Sequence, residues 1–285
     1  MRRRWTRAAV TALFALFALT GGMVLAADDL LLPEGSGEVA TFLLLGSDAG
    51  PPRAGDPRSG RADGVQLLFV SADRQHATFV SVPRDAYVSV PGRGQTRIGH
   101  CLVDGPETCV STVEQEFGLD VDGYVLTGMR AFAQAVAAFG GLTVDVPTPV
   151  FDGGTSIPEA GEQHLSGSQA LTYARDRSNR GGDVARTQAQ AELLAIGHAE
   201  VVSSGDIRAI TDALTVLRRH SFTDLSGTQV TRYAFQAMRL PPGNVERTVA
   251  TGSSAMIGGA SMYRLDQQAR DRIADAAEDG RLNSG

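Results

Sequence analysis

The spacing of apolar and polar residues along the chain predicts strands interleaved with helices. Residues 39–45 form a near-continuous apolar run, which is typical of a strand in a sheet covered on both faces. The runs 65–71 and 77–82 flank a polar turn and predict a hairpin. Later segments with helical or alternating spacing predict helices 111–117, 129–139, 168–175, 183–199, 207–217, 228–239 and 265–278, and a strand at 142–146. This order predicts a single mixed α/β domain.

The first 27 residues determine the expected compartment. Four arginines precede an uncharged apolar run at 8–27, which is long enough to span a bilayer as a helix. Because basic residues stay on the cytoplasmic side, we expect a basic tail at 1–7 inside the cell, a transmembrane signal-anchor at 8–27 and a linker at 28–38. The alternative is a cleaved signal peptide, with small residues between Gly21 and Ala27 as the processing region. Both alternatives place the rest of the chain outside the cytoplasm, and the first makes it a single-pass protein of the cell membrane.

Charge is distributed unevenly over the 285 residues. The chain has 26 basic residues, all of them arginine, and 32 acidic residues. Since four of the arginines lie in the first seven residues, 22 remain in the body against the 32 acids. An acidic body argues against a protein that binds nucleic acid by neutralising its phosphates. The exclusive use of arginine fits GC-rich coding, although arginine is also the better bidentate phosphate ligand.

The two cysteines, Cys101 and Cys109, are eight positions apart and could close a short loop. Such disulfides persist in oxidising compartments, which fits the expected location. The alternative is a pair of free, buried thiols. A metal site made of the two cysteines and His100 lacks a fourth ligand, so we do not expect one.

The predicted strand order brings charged residues to one edge of the sheet. If the first strand is antiparallel to the second, Asp48 at its end lies near Arg61 and Asp63, and the hairpin returns Arg84 and Asp85 to the same edge. Carboxylates beside arginines suit a hard divalent cation together with a phosphate group. The alternative is that these aspartates only serve the turns, where aspartate is common.

A second charged cluster lies between two predicted helices. Asp183 follows two glycines and is a natural N-cap, and positions 183, 186 and 190 fall on one helical stripe. Several guanidinium groups in one place repel each other unless an anion holds them, and their forked geometry matches phosphate. The alternative is a solvated charged surface. The members of the cluster are Arg175, Arg177, Arg180, Asp183, Arg186 and Gln190.

Short motifs occur in a specific order behind the N-terminal apolar run. They are LLLGSD at 43–48, RAD at 61–63, SVPRD at 81–85, RI at 97–98, FGGL at 139–142, LSGSQALTYARDR at 165–177, and DVAR at 183–186 followed by Gln190. In these motifs the chain resembles the LytR-CpsA-Psr family of cell-wall assembly proteins. The resemblance covers residues 39–240, which we take as the catalytic domain, and leaves 241–285 as a C-terminal extension that could pack on it.

The resemblance implies a fold and an activity. The fold is a three-layer α/β/α domain with a mixed central sheet and an apolar groove for a lipid chain. The activity is that of a phosphotransferase, which moves a glycopolymer with one phosphate from a polyprenyl-pyrophosphate carrier to a peptidoglycan hydroxyl in a Gram-positive cell wall. A lipid-pyrophosphate hydrolase and a non-catalytic protein that binds lipid-linked glycan are the alternatives. Retained acidic residues favour catalysis, because carboxylates beside a diphosphate contribute nothing to anion binding without a metal.

The resemblance also implies roles for individual residues. Asp48 and Asp63 look like ligands of Mg²⁺, or of Mn²⁺ in its place. One carboxylate, Asp63 or Asp85, could help to deprotonate the incoming hydroxyl, while Asp85 could instead orient Arg84. Arg61, Arg84 and Asp85 are the expected catalytic residues. The expected pyrophosphate ligands are Arg61, Arg84, Arg97, Arg175, Arg177, Arg186 and Gln190.

The chain departs from the family pattern beside these residues. The Ser/Thr pair usual around the second aspartate is Ala62 and Gly64, and the asparagine often found after the basic-Ile pair is Gly99. These changes leave both aspartates and the main arginines in place, so they affect the expected turnover rate and polymer preference more than the reaction class.

Overall fold

The structure is a computed structural model that describes residues 37–49, 56–152, 155–176 and 182–282. The expected basic tail, the signal-anchor at 8–27 and nearly all of the linker lie outside the described residues. No helix within the described ranges is long and apolar enough to cross a membrane.

A six-stranded mixed sheet forms the centre of the domain. The strands in the described residues are β1 Ala40–Ser47, β2 Ala62–Val70, β3 Ala77–Ser81, β4 Tyr87–Val90, β5 Gly94–Arg97, β6 Gly123–Gly128, β7 Leu142–Val146, β8 Val150–Asp152, β9 Thr155–Ile157, β10 Gly161–Leu165, β11 Ser221–Thr223, β12 Val245–Val249, β13 Gly252–Ile257 and β14 Ala260–Leu265. The strand order in the central sheet is β11-β6-β1-β2-β3-β12. Strands β1, β2 and β3 are successively antiparallel, whereas β6 and β12 run parallel to β1 and β3. The predicted mixed α/β fold with a mixed central sheet is confirmed.

Seven helices accompany these strands in the described part of the chain. They are α1 Pro106–Phe117, α2 Met129–Phe139, α3 Gly167–Arg175, α4 Asp183–Ser204, α5 Ile207–His220, α6 Gly227–Arg239 and α7 Gln267–Asp279. Local signals set their ends: Ser166 and Ser226 each form a capping box with the glutamine three residues later, which satisfies free amide groups at the starts of α3 and α6. Helix α2 ends at Gly140, which adopts a left-handed conformation.

One face of the sheet packs on α1 and α7. The shared core is apolar and fully buried, and it includes Leu43 of β1, Leu67 and Phe69 of β2, Val113 of α1 and Ile273 of α7. Cys101 and Cys109 belong to the same core and form a disulfide with 4.8 Å between their Cα atoms. The bond ties the 3₁₀ segment Ile98–Asp104 to α1.

The opposite face of the sheet lies under α4 and α6. A Cβ built on Gly64 of β2 would point at Gln190 Oε1 of α4, 3.2 Å away. On the same face, the rings of Phe42 on β1 and Tyr233 on α6 meet edge to face, with 4.6 Å between their centroids. A second apolar core joins α2, α3 and α4 to the small strands β7–β10. Helices therefore pack on both faces of the central sheet.

The described part of the C-terminal segment, residues 241–282, adds a strand to the central sheet and a helix to its core. Strand β12 is the edge strand of the central sheet, paired parallel with β3. Helix α7 places Ala269, Ile273 and Ala276 in the core under the sheet. The boundary expected at residue 240 therefore falls inside a continuous sheet and core.

Candidate active site

Asp48 and Arg61 meet where β1 ends and the antiparallel strand β2 begins, as the strand order predicted. The Asp48 amide donates to the Arg61 carbonyl (3.0 Å), and the Arg61 amide donates to Asp48 Oδ1 (2.7 Å). The guanidinium closes the pair, because Arg61 Nε and one terminal nitrogen lie 3.0 and 2.9 Å from Asp48 Oδ2. The Asp48 side chain is 11% exposed and that of Arg61 is 55% exposed. The carboxylate is therefore recessed, while the guanidinium lies towards solvent.

Asp63 is the extra residue of a β-bulge. Gly46 pairs with Gly64 and Ser47 pairs with Ala62, which leaves Asp63 without a partner position on β1. Bulges of this kind re-aim side chains and are common beside active sites. At this position the Asp63 carboxylate accepts a hydrogen bond from Arg84 and lies 3.6 Å from a terminal nitrogen of Arg186. One carboxylate thus gathers two arginines that are about a hundred residues apart in the chain.

A close backbone contact holds Arg84 in place. Its carbonyl accepts a hydrogen bond from the Gly99 amide (2.9 Å), and the Ala86 carbonyl accepts one from the Ile98 amide (2.7 Å). A Cβ at position 99 would lie 2.8 Å from the Ala62 carbonyl oxygen and 3.1 Å from that of Arg84. The absence of a side chain at Gly99 therefore permits this close approach.

Asp85 lies between two arginines. Its Oδ1 is 3.1 Å from Arg97 Nε and 3.9 Å from Arg84 Nε. Arg97 also donates to the carbonyl of Ser261 on β14 (2.9 Å), and the Tyr263 amide donates to the Asp85 carbonyl (2.8 Å). The structure therefore places Arg97 on the outer side of Asp85, against the β13–β14 hairpin.

The arginine cluster of the second motif approaches from α3 and α4. Arg186 is only 2% exposed, so it is not part of a solvated surface. Gln190, one turn further along α4, donates to the Ala174 carbonyl (3.3 Å) and so ties α4 to the last turn of α3. Arg175 is the last residue of that helix and is half-buried. Arg177 lies outside the described residues.

The arginines of the site influence the pKa of one neighbouring histidine, His100. Burial is the main cause that lowers the pKa of His100, and the positive charges of Arg97 and Arg61 lower it further. Burial and these arginines therefore disfavour the protonated imidazole, while the negative charge of Asp85 partly opposes them.

Two carboxylates at this edge, Asp48 and Asp63, are of the chemical type that binds a hard divalent cation. No group of three or more His, Cys, Asp or Glu side chains that could hold a metal occurs within the described ranges. Mg²⁺ commonly takes one or two carboxylates and completes its octahedron with water and substrate phosphates. Asp48 and Asp63 can supply those carboxylate oxygens.

Sequence reasoning did not single out Gln66, which lies on the same strand as Asp63. It is 4% exposed and faces α4 and α6, as Gly64 does. The available signal was one polar residue inside the apolar run VQLLFV at 65–70.

Carboxylates and arginines at one edge of a mixed α/β sheet define a site for a phosphorylated, anionic substrate. The family model LytR_cpsA_psr matches residues 31–279. The chain belongs to the LytR-CpsA-Psr family, as the sequence motifs indicated.

Individual relatives agree with this assignment. The polyisoprenyl-teichoic acid–peptidoglycan teichoic acid transferase TagU of Oceanobacillus iheyensis is 30% identical over 248 residues, which cover 83% of this chain and 74% of TagU. The structure of TagT bound to LIIa-WTA has a TM-score of 0.70 and 25% identity, covering 86% of this chain and 91% of TagT. The LytR-Csp2A-Psr enzyme from Actinomyces oris shares the fold, with a TM-score of 0.70 and 21% identity over 88% of this chain and 94% of that enzyme.

Proposed function

We propose that this protein is a phosphotransferase that moves a glycopolymer with one phosphate from a polyprenyl-pyrophosphate carrier to a peptidoglycan hydroxyl. The observation that carries the proposal is the convergence of Arg84 and the buried Arg186 on Asp63, beside the Asp48–Arg61 pair. TagU of Oceanobacillus iheyensis, 30% identical to this chain, is named a polyisoprenyl-teichoic acid–peptidoglycan teichoic acid transferase. TagT has been captured with LIIa-WTA.

The arginines supply most of what phosphoryl transfer asks of a protein. The reaction needs the two phosphates to be positioned and their charge neutralised, and it needs little covalent chemistry from side chains. Arg84 and Arg186 would hold the diphosphate from two sides, and Arg61, Arg175 and Gln190 would contribute from the neighbouring ends of β2, α3 and α4. The polymer leaves with one phosphate, and the carrier keeps the other as polyprenyl phosphate.

We further propose that Asp48 and Asp63 hold Mg²⁺, or Mn²⁺, once the diphosphate is bound. The ion would supply charge neutralisation at the bridging and leaving oxygens. Each carboxylate is paired with arginine in the described structure. Arrival of the diphosphate would draw those arginines to the phosphates and leave the carboxylates for the cation.

Asp85 is best suited to orient its neighbours. A carboxylate held between Arg84 and Arg97 keeps both guanidinium groups in place, and its side chain is 29% exposed. We propose that Asp85 aligns Arg84 for the diphosphate. An acceptor hydroxyl that approaches the exposed side of Asp85 could transfer its proton to that carboxylate.

The apolar chain of the carrier has a matching surface. Leu44 and Leu68 lie on the two central strands and face α4 and α6, yet both are only half-buried. Helix α6 has apolar residues at helical spacing, and none of its residues is buried. We propose that the lipid occupies this incompletely covered face, between the sheet and the helices of the α6 side.

We propose that the domain works outside the cytoplasm, attached to the cell membrane by residues 8–27. The buried Cys101–Cys109 disulfide supports an oxidising compartment. The three-layer arrangement implied by the family resemblance is consistent with helices on both faces of the sheet.

The test is transfer of labelled lipid-linked glycan to peptidoglycan by the full-length chain. We expect Arg84→Ala to abolish transfer, whereas Arg247→Ala, which removes an exposed arginine on β12, should retain it. Unimpaired transfer by Arg84→Ala, or transfer by the wild-type chain in excess chelator, would contradict the proposed mechanism. A rate that is indifferent to peptidoglycan, with free glycan phosphate as the product, would favour the hydrolase instead.

A further inference from the structure

Gln66 interrupts the apolar pattern of β2 at a buried position. Its neighbours Val65 and Leu67 point into the core under the sheet, so Gln66 points to the opposite face. It pairs with Leu44 on one side and with Ser81 on the other. Only 4% of the residue is exposed. A glutamine in the middle of a three-strand apolar surface needs polar partners, because burial removes it from water.

Only one end of the Gln66 amide has such a partner. The Ser81 hydroxyl donates to Gln66 Oε1, which fixes the orientation of the side chain. Gln66 Nε2 is buried and has no hydrogen-bond partner among the residues that the structure describes. Buried polar atoms in native proteins nearly always have a partner, so an acceptor for this amide is expected from outside the described residues.

The position of Gln66 identifies which acceptor can reach it. Gly64, two residues closer to the site on the same face, lies against Gln190. Two residues of a strand span roughly 7 Å. Gln66 is therefore one side-chain row deeper than the site, where the surface becomes apolar at Leu68 and Phe42.

We propose that Gln66 Nε2 donates a hydrogen bond to the lipid-side phosphate of the polyprenyl diphosphate. This inference rests on the proposed function. A polyprenyl chain carries no hydrogen-bond acceptor, so the phosphate attached to it is the only polar group that enters the apolar face from the site. That phosphate leaves with the carrier and gains charge during transfer. A donor aimed at it therefore favours the transition state as well as binding.

The test compares lipid binding by the full-length chain carrying Gln66→Leu with binding by the wild type. The probes are a C20 prenyl diphosphate, the corresponding monophosphate and the corresponding alcohol. Hydrogen bonds to charged groups are among the stronger ones, so we expect Gln66→Leu to weaken both phosphorylated probes about tenfold or more and to leave the alcohol unchanged. Gln163→Leu replaces a strand glutamine on β10 and serves as the matched control.

A second variant keeps the test decisive if leucine disturbs folding. Gln66→Glu preserves the shape of the side chain, and its negative charge should weaken the phosphorylated probes while sparing the alcohol. Unfolding in urea without lipid identifies any loss that comes from instability. Equal binding of the phosphorylated probes by the wild type and by either folded variant overturns the inference. Failure of the wild type to bind any prenyl diphosphate would instead count against the proposed function.

Discussion

Removal of the Cys101–Cys109 disulfide should destabilise the domain by an amount that follows from its loop length. The double change Cys101→Ala and Cys109→Ala avoids placing a hydroxyl at two positions that are 0% and 1% exposed. The bond closes a loop with a sequence separation of 8. For a loop of this size, the chain-entropy relation gives about 2.5 kcal/mol of lost unfolding free energy at 25 °C. In a domain of this length, that corresponds to a fall of about 5–10 °C in Tm.

The loss should also reach the candidate site. The tethered segment Ile98–Asp104 provides the amides of Ile98 and Gly99, which hold the carbonyls of Ala86 and Arg84. Without the tether, the segment can separate from these carbonyls more easily, so Arg84 is positioned less well. We therefore expect transfer by the double variant to decline at a lower temperature than transfer by the wild type.

Equilibrium unfolding in urea measures the change directly. Wild-type protein treated with a reducing agent should unfold at the same urea concentration as the double variant, and the agent should have no further effect on that variant. If oxidised wild type and double variant share one midpoint and one slope, the disulfide contributes nothing to stability and the reasoning from loop closure is refuted.

Three further predictions concern packing, charge and pH. Gly167→Ala should lower the unfolding free energy by about 1–3 kcal/mol, because its Cβ would lie 1.9 Å from a backbone oxygen of α2. Gly197→Ala inside α4 has open space for its Cβ and should raise the unfolding free energy by up to about 1 kcal/mol. The urea midpoints of the two variants should therefore lie on opposite sides of the wild-type midpoint. Asp63→Asn should lower the unfolding free energy by about 3 kcal/mol, since it removes a carboxylate from the buried Arg186 guanidinium. The same variant should lose transfer activity. An unchanged urea midpoint would contradict the assigned ion pair. Burial and Glu107 raise the pKa of Tyr124 to about 12. The contribution of the protonated phenol to the unfolding free energy is therefore complete below pH 10 and is lost as the pH rises towards 12. The Tm of Tyr124→Phe should lack this alkaline decline, and equal declines in the variant and the wild type would contradict the prediction.

The sequence was sufficient to predict those helices and strands that are determined by apolar spacing and turn residues within the element itself. Helix α2 and strand β7 have the predicted bounds, because apolar spacing and the glycines after α2 define both. Strand β6 was not predicted, because its short sequence adopts a strand conformation only through pairing with β1 and β11. Strand β12 was missed because it is an edge strand with exposed Glu246 and Arg247 and has no apolar run.

In the candidate site, too, some contacts could be predicted from the sequence and others could not. The antiparallel order of β1, β2 and β3 was enough to bring Asp48 to Arg61 and Asp63 to Arg84. The surroundings of Arg97 were not accessible from the sequence, because the Ser261 carbonyl that it contacts is 164 positions away on an unpredicted hairpin. The bulge at Asp63 also needs the register between two strands, which apolar periodicity does not specify to one residue.

The pairing of acids with arginines explains how such a site can fold before its substrate arrives. A guanidinium as buried as that of Arg186 would strongly oppose folding if it had no nearby negative charge, and Asp63 provides one. Under the proposed function, the diphosphate replaces the carboxylates around the arginines, and the cation replaces the arginines around the carboxylates. Neither set of charges is left uncompensated at any stage. The two ligands should therefore bind cooperatively, because each releases the partner that the other requires.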